Sequence, residues 1–246
     1  MSQGFIKKPQ GLVRSASGRW GSAIGNPLPT DITGLKIWLE GDYGITMDPD
    51  DYEVNQWVDR QGYCIFTQTL TKRPLWVASV DLANNQAGVQ FDGVDDHMAS
   101  DFTDIAQPFT IILLATEPTG ITVERFMFCS STGNAEYLAQ FRDTYVYKTK
   151  FGTALSIGTT VAGNPLARWR LQYTGTGSLF FKNGVQTAAA TAGTGALTSM
   201  CLAAYYVGSY PGNITIFSLI VYNKILSESE VSILNSYLTS KFGAGV

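Results

Sequence analysis

From residue 35 onward the chain reads as strands. Leu35-Lys36-Ile37-Trp38-Leu39 alternates and stops at a turn between Gly41 and Gly44, the two-residue period of a strand that buries one face. Residues 109–115 form a nearly continuous apolar run instead, as a strand covered on both faces requires. Residues 124–129, 135–141, 145–150 and 169–174 are further strand segments, separated by Gly, Asn and Pro. Ser178-Leu179-Phe180-Phe181 followed by Lys182-Asn183-Gly184-Val185 predicts a hairpin, because Asn-Gly supplies the two positive-φ residues of a type I′ turn. Many short strands at this spacing predict two packed antiparallel sheets.

One segment changes period. Ser227-Glu228-Ser229-Glu230 is a capping box, and Leu226 and Val231 flank it as a hydrophobic staple. Val231, Leu234, Leu238 and Phe242 share one helical face and Gly243 follows, so a helix is predicted over 227–242.

Composition supports this reading. Charged residues make up 15% of the 246-residue chain, against about 25% in an average soluble protein, which argues for strands and tight turns over a helical bundle. Cys64, Cys129 and Cys201 are too few and too scattered for a disulfide framework or a zinc site, so they are expected as small buried apolar side chains. The longest apolar run, 111–115, is too short to span a bilayer. The first residues hold no apolar stretch of signal-peptide type, so assembly in a reducing cytoplasm is expected, with no membrane insertion.

Charge divides the chain. The first 30 residues carry four basic and no acidic side chains (+4), leaving 13 basic and 20 acidic (−7) in the rest. This segment includes Pro9, Pro27 and Pro29 and has neither helical nor strand periodicity, so it cannot bury a face alone. It reads as an extended basic arm over 1–32, ahead of a sandwich domain over 33–246. The arm is expected to dock on a partner chain through Phe5, Ile6, Lys7, Lys8, Leu12, Val13, Arg14, Arg19 and Trp20. Four charges spread over the arm are too sparse a footprint for nucleic acid; an acidic protein surface suits it better.

Two stretches carry a family resemblance. The first is the Leu35–Leu39 strand with Glu40-Gly41-Asp42, then Val54-Asn55-Gln56-Trp57-Val58-Asp59-Arg60-Gln61-Gly62, then Gly88-Val89-Gln90-Phe91-Asp92-Gly93-Val94-Asp95-Asp96-His97-Met98. The second is the Asn183-Gly184 hairpin, the run at 216–226 and the capped helix. Together they resemble the LamG-like jelly-roll family of the concanavalin A-like lectin and glucanase type. The resemblance, over about residues 33–243, implies an all-β fold, a two-sheet antiparallel β-sandwich (jelly roll); with the elements read above, the expected architecture adds one C-terminal α-helix and an extended N-terminal arm. It implies no single activity, since this fold hosts lectins, adhesion modules, glycosidases and bacteriophage particle proteins.

Glycoside hydrolysis needs two carboxylates across a cleft, and the glucanases this chain resembles carry E-x-D-x-x-E or E-x-D-x-E on one strand. The nearest match, Glu40-Gly41-Asp42-Tyr43, lacks a third acid, and Glu117, Glu124 and Glu136 lie on separate segments. No G-x-S-x-G elbow exists, and the single histidine, His97, follows Asp95-Asp96 in a turn and is expected at the surface. No catalytic residue is therefore assigned and no enzyme is expected. Calcium is the one cofactor the acidic runs admit: Asp48, Asp50, Asp51 and Glu53 cluster within six residues, and Asp92, Asp95 and Asp96 within five, with a plain solvated or Asx-capped loop as the alternative for each. Tyr205, Tyr206 and Tyr210, with Asn213, form the best candidate platform for a sugar. A sandwich of this kind without an export signal or disulfides suits a non-catalytic bacteriophage virion protein. It would be a multi-copy decoration or accessory protein, on the capsid surface more than the tail, bound to other virion proteins through the arm. The alternative is a carbohydrate-binding module that recognises host or environmental glycans.

Overall fold

The computed structural model describes the chain from residue 27 to 243 except 69, 118–124, 130–135, 142–145, 152–153, 160–165, 192 and 206–208, and two short strands before it. These are β1 (Leu12–Arg14) and β2 (Trp20–Ser22), which pair antiparallel as an isolated ribbon. The arm, expected to be without regular structure, thus contains a short hairpin.

The sandwich follows. Its early strands are β3 (Leu35–Glu40), β4 (Ile45–Met47), β5 (Val54–Val58), β6 (Ile65–Thr67), β7 (Leu75–Val80), β8 (Gln86–Asp92) and β9 (Met98–Ile105). The middle holds β10 (Phe109–Thr116), β11 (Arg125–Cys129), β12 (Glu136–Phe141), β13 (Val146–Phe151), β14 (Ala154–Thr159) and β15 (Leu166–Tyr173). Then come β16 (Ser178–Lys182), β17 (Val185–Ala190), β18 (Leu197–Leu202), β19 (Asn213–Tyr222) and the helix α1 (Glu228–Phe242). One sheet runs β17-β16-β15-β10-β19-β8-β7, and the other β14-β13-β12-β11-β18-β9-β6-β5-β4. The long β19 takes two partners along one edge, β8 at its start and β3 at its end. The chain is therefore all-β in two antiparallel sheets with one C-terminal helix.

Two apolar layers hold it together. Between the sheets lie Trp57, Phe66, Phe91, Phe109, Phe128, Trp169 and Phe180, all fully buried. Outside the first sheet, Val231, Leu234, Tyr237, Leu238 and Phe242 of α1 cover Trp38, Ile112, Leu114, Phe217, Ile220 and Tyr222. This second layer explains why every residue of β10 is buried. It also explains why Trp38 and Leu39 are both buried, although alternation sends them to opposite faces. Leu28 and Ile32 belong to the same layer, and Tyr222 Oη donates to the Pro29 carbonyl at 3.0 Å, so the end of the basic segment is seated on the body.

The local signals are realised with their expected chemistry. Ser227 Oγ accepts from Glu230 N, and Glu230 Oε2 accepts from Ser227 N, satisfying donors that open the helix. Asn183 and Gly184 adopt φ of 50° and 81°, the left-handed pair the β16–β17 hairpin needs. All three cysteines are buried and none is disulfide-bonded. Cys129 and Cys201 face one another in the β11–β18 register.

Candidate functional site

A groove and an aromatic cluster lie on the outer face of the second sheet. Register places Thr67, Ala99, Cys201 and Cys129 in one row across β6, β9, β18 and β11. At the β6–β9 end lies a groove of about 660 Å³, lined by Gly62, Tyr63, Ile65, Thr67, Ala99 and Asp101 among others, a volume in the range of small-ligand sites. Its wall is shaped by the Trp57-Val58-Asp59-Arg60-Gln61-Gly62 turn. The buried Asp59 carboxylate accepts from the backbone N–H groups of Trp38, Gln61, Tyr63 and Cys64. Tyr63 is thereby presented at the groove, with its Oη donating to the Thr103 carbonyl at 2.5 Å and its ring 5.9 Å from that of Phe102. Burial, and then the Asp59 charge, push the Cys64 thiol well above its ordinary pKa, so Cys64 stays protonated.

At the β11 end of the row an aromatic cluster closes the face. Tyr205 packs on the small cluster of Phe126 and Cys129, with ring centroids 4.8 Å apart for Phe126–Tyr205 and 6.3 Å for both Phe126–Tyr210 and Tyr205–Tyr210. Tyr205 and Ser209 exchange backbone hydrogen bonds of 2.7 and 2.9 Å. Tyr210 takes φ +50° and is 47% exposed, so this ring is the one offered to solvent. Asn213 opens β19, exposed, opposite Asp92. Tyr206 lies outside the described residues.

The acidic turn at Asp92–Asp96 borders this cluster. Arg125 Nη1 donates to the Gly93 carbonyl at 2.6 Å and to the Pro211 carbonyl at 2.5 Å, tying the turn to the Tyr210 loop. Asp92 Oδ1 accepts from Val94 N at 2.7 Å, and Asp96 Oδ2 accepts from Asp92 N at 3.0 Å. Carboxylate oxygens of Asp92, Asp95 and Asp96 lie within 4.8 Å of one another. Burial, opposed by the Asp92 N–H and then reinforced by the charges of Asp92, Asp95 and Glu53, pushes the Asp96 carboxyl up to about 7. Among the described residues, Asp92, Asp95 and Asp96 are the group whose carboxylates could hold a metal ion, and carboxylate oxygens are the ligands that calcium takes.

The other acidic run is arranged differently. Asp48 and Asp51 cap local backbone N–H groups, of Asp50 and Glu53 respectively, while Arg73 pairs with Glu53 and reaches Asp51 at 3.9 Å. Among the described residues Asp48, Asp50, Asp51 and Glu53 do not converge as the Asp92 group does. His97, expected at the surface, is instead only 8% exposed. Its Nδ1 lies 2.9 Å from the Asp95 carbonyl and its Nε2 2.7 Å from Gln68 Nε2, because the turn folds back over the Lys72 segment.

Of the carboxylates considered for hydrolysis, Glu40 and Glu117 are tied down, while Glu124 and the Glu136 side chain lie outside the described residues. Glu40 is 1% exposed and accepts from Tyr237 Oη at 2.5 Å and Lys241 Nζ at 2.7 Å, with Arg60 Nε at 3.0 Å. Glu117 is buried and paired with Lys182. Of the expected docking residues, Phe5, Ile6, Lys7, Lys8 and Arg19 lie outside the described residues, and Leu12, Val13, Arg14 and Trp20 fall on the β1–β2 ribbon. Arg125 and Tyr63 escaped the sequence reading. Arg125 stood as the first polar residue of a strand, a position with no distinctive signal, whereas Tyr63 followed the Asp59 turn that presents it.

No family model and no curated protein matches the chain. Among solved structures, Trypanosoma rangeli sialidase in complex with sialic acid is similar over 95% of this chain, with TM-score 0.60 and 13% identity. That match takes up 36% of the sialidase, so the chain spans about a third of the enzyme's length. Domain 4 of AbnA, a GH43 extracellular arabinanase from Geobacillus stearothermophilus solved in complex with arabinotriose, is similar over 81% of this chain and 97% of its own, with TM-score 0.56 and 13% identity. The binding domain of Paraclostridial Mosquitocidal Protein 1 is similar over 83% of this chain and 52% of its own, with TM-score 0.58 and 14% identity. At these identities the likeness establishes the fold alone, a two-sheet antiparallel β-sandwich.

Proposed function

We propose that the chain is a non-catalytic carbohydrate-binding module that holds a glycan along the outer face of its second sheet. The observation that carries the reading is the 660 Å³ groove beside Tyr63, on the same outer face as the Tyr205–Tyr210 cluster, with the Cys201 and Cys129 positions of the row between them buried. Sugar rings stack on aromatic faces through their apolar C–H edges, and Asp101, Asn213 and the Asp92–Asp96 turn supply acceptors and donors around them. A neighbour of nearly equal size, AbnA domain 4, is described in complex with arabinotriose, which favours a sugar over other ligands for this fold. Calcium held by Asp92, Asp95 and Asp96 would fix the turn that Arg125 ties to the tyrosine loop. The test is a glycan array on the whole chain, wild type against Tyr63→Ala and Tyr210→Ala, with product release measured on every glycan bound. Binding that both variants lose, without hydrolysis, supports the reading. Turnover, or binding that neither variant alters, contradicts it.

A second reading rests on the split of charge, +4 in the first 30 residues against −7 in the rest. The 1–32 arm would anchor a LamG-like sandwich in a bacteriophage particle as a decoration protein, and the sandwich would display its glycan face outward. Ordering an arm costs about 1–2 kcal/mol per residue, so only a large contact surface sustains it. Gradient sedimentation of full-length protein against a deletion of residues 1–30 decides: co-migration with large particles only when the arm is present supports anchoring, and identical migration rejects it.

A further inference from the structure

The opposite sheet holds a second, independent feature. Along β15, Ala167, Trp169, Leu171 and Tyr173 enter the core between the sheets. By alternation Arg168, Arg170 and Gln172 therefore point to the other face, beneath α1. All three are buried, the arginines at 9% exposure each. Gln172 is satisfied by the Leu226 carbonyl at 3.4 Å. Arg170 lies over the Phe181 ring at 3.6 Å and 3.7 Å from Glu228 Oε1, on a side chain that is 87% exposed.

Arg168 has no such relief. Its Nη1 is buried without a hydrogen-bond partner, and it faces a cavity of about 110 Å³ lined by Ile112, Arg170, Phe181, Glu228, Val231 and Leu234 among others. Burial, and then the Arg170 charge, hold the Arg168 pKa below its ordinary value. An uncompensated buried guanidinium costs several kcal/mol and is rare unless something pairs with it.

We propose that this cavity binds a single oxyanion, the carboxylate, sulfate or phosphate group of a small ligand, between Arg168 and Arg170. Two guanidinium groups supply paired N–H donors in the planar geometry that oxyanions accept. The apolar walls from Ile112, Phe181, Val231 and Leu234 lower the local dielectric and strengthen the contact. The small space between the two guanidinium groups and the apolar walls fits one such group. The anion therefore arrives free, or as a substituent of an acidic sugar that stays outside. Glu228, at the exposed mouth, is the competitor that it displaces.

Thermal unfolding of the full chain in phosphate, sulfate, glucuronate or glucose, each against chloride at equal ionic strength, tests the site. Saturable stabilisation by at least one anion and none by glucose is expected. Glucuronate alone would mark an acidic sugar as the source; phosphate or sulfate would mark a free ion. Arg168→Met should weaken the midpoint at least tenfold while melting in chloride no lower than wild type, because it removes an unpaired buried charge at similar volume. Glu228→Gln, on an exposed side chain, should tighten binding several-fold and covers the case in which the first variant folds poorly. Equal stabilisation of wild type and both variants would reveal general salt exclusion and overturn the site, as would no response to any anion. The glycan-face variants Tyr63→Ala and Tyr210→Ala leave this response unchanged, so the two readings fail separately.

Discussion

Replacing Asp59 by Ala should destabilise the protein by about 3–8 kcal/mol, and the figure follows from four hydrogen bonds. The Asp59 carboxylate accepts from Trp38 N at 3.3 Å, Gln61 N at 2.8 Å, Tyr63 N at 2.6 Å and Cys64 N at 2.9 Å. Trp38 and Cys64 are buried, at 6% and 4% exposure, so water cannot replace the lost acceptor there. Each orphaned buried donor costs about 1–3 kcal/mol. Gln61 is exposed and Tyr63 half-buried, so their N–H groups are rehydrated and add less, about 0.5–1 kcal/mol each. Asp59→Asn keeps one oxygen but turns an amide N–H₂ toward two donors, and should cost about half as much. The assay is urea unfolding followed by tryptophan fluorescence, with Trp57 and Trp38 both close to the turn. For a chain of this length about 3–8 kcal/mol corresponds to a melting shift of roughly 6 °C or more. A loss below about 1 kcal/mol for Asp59→Ala would show that the turn holds its shape without the carboxylate, and the account of how Tyr63 reaches the groove would fail.

Other sites make equally definite predictions. The Asp96 carboxyl stands at about 7 against an ordinary 3.8, so the folded state holds its proton more tightly; the stability this adds is complete below 3.8 and is lost as pH rises through 7. The ceiling is about 4 kcal/mol, and with solvent reaching the turn about half of it is expected, so unfolding midpoints should fall from pH 5 to pH 8 in metal-free buffer and Asp96→Asn should flatten that fall. Tyr237→Phe removes one donor from the buried Glu40 carboxylate and should cost about 1–3 kcal/mol in urea unfolding; a neutral result would mean Lys241 and Arg60 suffice. Ser227→Ala removes the α1 cap and should cost about 1 kcal/mol, seen as a lower melting temperature that Ser227→Asp restores.

The sequence disclosed what is local and what repeats. The α1 cap, the Asn183-Gly184 turn and the β10 run each state their structure in adjacent residues, and each is where it was expected. The layer between helix and sheet was half-visible: the α1 stripe showed one side, while its partners on β3, β10 and β19 are visible only once the sheet order is known. Convergence was not visible at all. The Asp92–Asp96 turn and the Tyr205–Asn213 loop lie more than a hundred residues apart, and only the β8–β19 pairing and Arg125 bring them together. His97 misled for the same reason, since its cover comes from Gln68 and the Lys72 segment. The Arg168–Arg170 pair was legible in principle, as two cations two residues apart in a strand share a face, but its cover comes from α1, which lies far along the chain.

The most direct test of the glycan face is amide chemical-shift mapping of the full chain with the best-bound oligosaccharide. The account predicts shifts concentrated at Tyr63, Ile65, Ala99, Asp101, Tyr205, Tyr210 and Asn213, with Arg168 and Arg170 silent toward a neutral sugar. Shifts confined to the α1 side, or to the outer strands β16 and β17, would contradict it.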